Sequence, residues 1–81
     1  MEFDMTKVFT SLNADEVKVG SKGYFADSLR GLRVAVEREY RQAYGELDEI
    51  YNDSIDYRFH IRGCYSYNLF YLVEEVIKDD D

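Results

Sequence analysis

From Leu29 onward, apolar residues recur at helical spacing: Leu29, Leu32, Val36, Tyr40 and Ala43 stand three or four positions apart and form one stripe. This is the strongest secondary-structure signal in the chain, and it provides for one substantial helix. Asp27 or Ser28 can cap its start, since either side chain can accept from backbone N–H groups left free in the first turn. Gly45 is expected to end it. Arg33–Glu37 and Glu37–Arg41 are spaced for ion pairs on the solvent side, worth about 0.2–0.5 kcal/mol each. Gly31 lies within the helix at a cost of about 1 kcal/mol against Ala.

A single helix of this length leaves most of the chain to other structure, and the flanking segments read as strands. Residues 7–10, Lys-Val-Phe-Thr, are β-branched and aromatic. Asn13, followed three positions later by Glu16, predicts a single helical turn, with Leu12 and Val17 as a hydrophobic staple. Val17 and Val19 are expected under the sheet. Gly20 should end that turn, and residues 21–23, Ser-Lys-Gly, have turn chemistry. Tyr24, Phe25 and Ala26 form a short strand leading to the main helix.

Beyond Gly45, residues 47–51 read as a strand whose apolar residues do not alternate cleanly, which predicts a bulge or bend. Residues 52–54 make a turn. Tyr57, Phe59 and Ile61 then alternate with Arg58, His60 and Arg62. Residues 65–73 form the last strand, apolar on both faces: Phe70 and Leu72 oppose Leu69, Tyr71 and Val73. A two-faced strand belongs at the centre of a sheet or under a partner. The expected fold is α+β: a small bent antiparallel sheet of about five short strands, with one main helix across it and a short helical turn near the N-terminus. Residues 1–81 read as one domain with a frayed acidic tail over 78–81.

Composition narrows the function classes. Eight tyrosines and five phenylalanines argue for a packed core. Seventeen acids against ten bases leave a net charge of −7, which disfavours direct binding to nucleic acid or to an anionic membrane. No apolar run reaches the roughly 18 residues of a membrane span, and the acids near Met1 do not suit a signal peptide, so a cytoplasmic location is expected. The lone Cys64 excludes an intramolecular disulfide and reads as a small turn residue. His60 is the single histidine and reads as a surface position, because a catalytic base or metal ligand needs partners. Residues 20–23 have the wrong spacing for a P-loop, and no other nucleotide or nucleophile motif is present. The expectation is a non-enzyme with no cofactor and no assigned metal ligand; a small enzyme with a magnesium pair among the many carboxylates stands as a further reading.

Charge is unevenly placed. Between Arg41 and Arg58 no base interrupts the acids Glu46, Asp48, Glu49, Asp53 and Asp56. Tyr44, Tyr51, Tyr57 and Tyr65 lie in or beside that stretch. Acids interleaved with tyrosines can imitate the spaced charges of a nucleic-acid backbone; equally, they can be a solvated edge that discourages strand pairing. Arg30, Arg33, Arg38 and Arg41 make the helix locally basic, so the surface is bipolar.

Several stretches together resemble a family of small proteins from phages and mobile elements of Gram-positive gut bacteria: residues 7–10, 13–20, 22–29, 57–59 and 69–75. These motifs are turn glycines, caps and core aromatics, and the resemblance implies no catalytic or binding position. It implies a setting in which small acidic proteins include anti-CRISPR inhibitors, some of which block the basic DNA groove of an RNA-guided nuclease. With that setting, the expected function is inhibition of a host nucleic-acid-binding enzyme, and the acidic, tyrosine-rich stretch supplies the surface: Glu46, Asp48, Glu49, Tyr51, Asp53, Asp56 and Tyr57. The alternative is a phage assembly module that self-associates, as a homodimer for example, through its aromatic last strand.

Overall fold

The helix forms where the stripe predicts and stops earlier. The computed structural model describes residues 1–52, 57–61 and 66–76, and within them α1 spans Leu29–Arg38. Ser28 is the cap, its Oγ accepting from the Gly31 N–H at 3.1 Å. Asp27 instead accepts from the Asn68 N–H at 3.2 Å. The helix buries Leu32, Ala35 and Val36. Glu39, not Gly45, ends it. Its backbone is left-handed at φ 53°, ψ 54°, its N–H donates to Val36 O and the Tyr40 N–H donates to Ala35 O. This Schellman-type closure normally recruits glycine, so the terminator carried no glycine signal. Tyr40 and Ala43 therefore leave the helical stripe; Ala43 lies in a 3-10 turn over Arg41–Ala43 and still packs on the helix-side core. Arg33 Nε and Glu37 pair at 3.1 Å, whereas Arg41 lies beyond the helix and is out of the expected i,i+4 geometry.

The strands are β1 (Val8–Phe9), β2 (Lys22–Ala26), β3 (Tyr44–Asn52), β4 (Tyr57–Ile61), β5 (Ser66–Tyr67) and β6 (Leu69–Glu74). They pair antiparallel throughout, in the order β1-β6-β2-β3-β4-β5. The sequence suggested about five strands; the sixth arises because the last one breaks at Asn68. Before that residue the chain pairs with β4, and after it with β1 and β2. Since β5 runs directly into β6, the pairings close a circuit: β2 to β3, β3 to β4, β4 to β5, and through β6 back to β2. The sheet is bent because it returns on itself.

That circuit explains the two cores. Inside it, Phe25 of β2, Leu47 of β3, Phe59 of β4 and Phe70 of β6 meet Phe9, Ala14 and Val17. Phe70 lies 4.8 Å from Phe25 and 6.0 Å from Phe59, centroid to centroid. Outside it, α1 lays Leu32, Ala35 and Val36 against Val8, Tyr24 and Tyr71. β6 serves both cores, Phe70 and Leu72 on the inner side and Leu69, Tyr71 and Val73 beneath the helix. It is the central strand its two-faced sequence predicts, and burial of each large apolar side chain contributes about 1.5–3 kcal/mol.

The segment before β2 differs from expectation. A 3-10 turn does form over Ala14–Glu16, but Asn13 makes no side-chain cap to it. Asn13 Oδ1 accepts from the Thr10 N–H at 2.8 Å, and its amide donates to Val8 O. It thus closes the bend after β1. Leu12 is 94% exposed, so no staple forms, and Val17 is buried while Val19 is half exposed. Lys22 and Gly23 are strand, not turn. Gly20 and Ser21 exchange backbone hydrogen bonds with Leu47 at 2.8 Å each, which draws the segment into the sheet. The turn moves back to residues 18–21, where Gly20 takes φ 101°. At Gly23 the strands crowd so closely that a Cβ would stand 1.8 Å from Tyr71 O.

A candidate acidic interface on the third strand

β3 changes partner along its length. Tyr44–Glu46 pair with β2, and Leu47–Asn52 pair with β4. Leu47 opposes Ile61 and Glu49 opposes His60, so Asp48 is an extra residue in the ladder. This is the irregularity expected from the imperfect alternation of residues 47–51. A bulge shifts the inward–outward phase by one. Leu47 is fully buried and Ile50 packs against the same core, while Asp48 and Glu49 are both exposed, one after the other. A regular strand could not turn two consecutive carboxylates outward; the bulge does.

Glu46, half-buried, precedes them and is Cα-paired with Lys22. On its other edge Lys22 is paired with Glu74 at the end of β6. Gly20, Lys22, Glu74, Glu75 and Val76 line a shallow recess there. The acidic surface therefore continues from β3 across Lys22 to Glu74 and Glu75. Sequence reasoning omitted these two because only the sheet order brings the end of β6 beside β2. The other expected site residues divide. Tyr51 opposes Arg58 and Asn52 opposes Tyr57 in the backbone ladder of the β3–β4 pair. Asp53 and Asp56 lie outside the described residues, as do Cys64 and the tail over 78–81.

The basic side chains sit on a different element. Arg30, Arg33 and Arg38 are exposed on α1, which packs on β2 and β6, and Arg41 is exposed in the turn that follows. The expected bipolarity is thus a separation of α1 from the bulged half of β3. One tyrosine near the helix end is electrostatically unusual: burial, the Glu39 carboxylate and Tyr44 together raise the Tyr24 phenol above its ordinary range. Tyr24, Glu39, Arg41 and Tyr44 line a small open recess, with the two rings edge to face at 5.1 Å.

Among the described residues no cluster of His, Cys, Asp and Glu could hold a metal ion, and no helix is long and apolar enough to cross a membrane. β6 is hydrogen-bonded on both edges, Phe70 is fully buried, and Tyr67 and Leu72 are half-buried. β5, which carries Tyr67, ends the strand order and pairs with β4 alone. No family model matches the chain, and no curated protein or solved structure matches it.

Proposed function

We propose that this chain is a phage-derived acidic binding protein that inhibits a host nucleic-acid enzyme, an RNA-guided nuclease in the first instance, by occupying its basic DNA groove. The observation that carries the reading is the bulge at Asp48, which aims Asp48 and Glu49 outward together while Leu47 and Ile50 hold the strand to the core. Carboxylates fixed on a strand lose little conformational freedom on binding, which favours them over the same charges on a loop. The net charge of −7 favours fast encounter with a basic groove and disfavours binding to DNA itself.

The test is a nuclease–DNA binding assay with an Asp48→Lys/Glu49→Lys double variant. The double reversal is expected to weaken inhibition by roughly tenfold or more at low salt, with the wild type itself weakening as salt rises. Inhibition unchanged by the reversal would remove this surface from consideration. No effect of the wild-type chain on DNA binding by such nucleases would remove the proposal.

A further inference from the structure

A second surface, independent of the acidic one, lies where the N-terminal segment crosses α1. Phe3, Met5, Leu29, Arg30 and Arg33 line an open recess of about 500 Å³. Its floor is apolar and exposed: Met5 is 57% and Leu29 46% accessible, although Leu29 belongs to the helical stripe. Phe3 is held in place by stacking on Tyr71 at 5.3 Å, and the Arg33 guanidinium lies 6.0 Å above the Phe3 ring. Arg33 also pairs with Glu37. Arg30 makes no ion pair or hydrogen bond with any described residue.

The position of Arg30 is uneconomical for folding alone. It stands in the first turn of α1, which has no acidic residue, so its charge faces the positive end of the helix dipole. An external carboxylate there would meet the guanidinium and the dipole together. Isolated exposed apolar residues are ordinary, but a rigid ring, an adaptable methionine and a leucine grouped between two arginines have the composition of a recognition patch.

We propose that this recess binds an acidic polypeptide segment of a partner protein, one carrying a large apolar side chain between carboxylates. The apolar anchor would cover Met5 and Leu29 against Phe3, and the flanking carboxylates would meet Arg30 and Arg33. Charge complementarity selects this occupant. A nucleic-acid backbone or an anionic membrane carries its charge well beyond two arginines and would face the rest of a molecule of net charge −7, whereas a short acidic segment presents its carboxylates at the recess alone. A second copy would offer carboxylates at Asp48 and Glu49, at Glu74 and Glu75, or at Glu2 and Asp4, but apolar residues beside them are engaged: Leu47 is fully buried, Ile50 and Val76 are half-buried, and Phe3 is stacked on Tyr71. The surface and its partner stand whether or not β3 inhibits a nuclease.

The probe is a panel of fluorescein-labelled peptides in which Phe, Leu or Trp is flanked on both sides by Asp or Glu, read by anisotropy against the full chain. Members of the panel are expected to bind, and Arg30→Glu to weaken them by roughly tenfold or more, as for an interfacial Arg hot spot. Met5→Ser should weaken them several-fold, and Arg41→Glu, outside the recess, should change them by less than about twofold. Near-UV circular dichroism verifies that each variant is folded. Failure of every acidic peptide to bind, binding insensitive to Arg30→Glu, or equal binding of lysine-flanked peptides would overturn the proposal. So would binding to phosphatidylserine vesicles without binding to the peptides, or a dimer in sedimentation equilibrium that Arg30→Glu dissociates.

Discussion

Substituting Gly23 by Ala should be the most damaging one-carbon change available in the sheet. A Cβ at that position would stand 1.8 Å from Tyr71 O and 3.1 Å from Phe70 Cζ. Tyr71 O is backbone in the central strand, and Phe70 is fully buried, so neither can step aside at low cost. Relieving the first contact to about 3.3 Å requires β2 and β6 to part by roughly 1.5 Å. Inter-strand N–H···O distances start near 2.9 Å, so a parting of that size breaks the local ladder, at about 1 kcal/mol net for each of two or so bonds. Displacing the Phe70 ring in a filled core adds about 1–3 kcal/mol. The total is roughly 3–5 kcal/mol, against about 4–12 kcal/mol expected for a chain of this size. Thermal unfolding followed by circular dichroism should show Gly23→Ala melting at least about 12 °C below wild type, at 4–8 °C per kcal/mol. Gly31→Ala is the control: its Cβ would meet Ser28 Oγ at 3.1 Å and Ala26 Cβ at 3.8 Å, and helix propensity returns up to about 1 kcal/mol. It should melt within several degrees of wild type. If Gly23→Ala melts no lower than Gly31→Ala, the close approach of β2 to β6 is not as described.

Glu39→Gly should raise stability by about 0.5–1 kcal/mol in chemical denaturation, because glycine takes the left-handed conformation without the Cβ penalty; the exposed ion pair from the Met1 ammonium, at 2.9 Å, offsets little of this. Asn13→Ala should cost about 1–2 kcal/mol in chemical denaturation, since it removes both the acceptor for the Thr10 N–H and the donor to Val8 O; Asn13→Asp keeps the acceptor, loses only the donor, and should cost less. The Tyr24 phenol is raised above 10.0 by burial first and by the Glu39 carboxylate second. The folded state therefore favours the neutral phenol. That contribution is complete below pH 10 and is lost as pH rises through the folded-state pKa, so alkaline unfolding curves should be shallower for Tyr24→Phe than for wild type.

What the sequence determined by itself is local and periodic. The stripe from Leu29 to Val36 requires a helix whichever fold surrounds it, and Ser28 supplies a capping hydroxyl without tertiary help. Phe70 and Leu72 opposite Leu69, Tyr71 and Val73 require a strand covered on both faces, and β6 is one. The broken alternation of residues 47–51 requires a bulge, although only the register places it at Asp48.

Tertiary structure decided what depends on contacts between distant segments. Gly20 and Ser21 became part of the sheet because Leu47 bonds to them, which no local turn propensity could foretell. The helix ended at Glu39, a residue with no intrinsic preference for the left-handed region, because Ala35 and Val36 close on it while Ala43 and Tyr44 pack toward the helix-side core. The last strand broke at Asn68 because β4 claims one half and β1 and β2 the other. The same physics governs the candidate sites. The acids of β3 were visible as a run, but their joint exposure, the addition of Glu74 and Glu75, and the gathering of Phe3, Met5 and Leu29 between arginines depend on which segments lie side by side.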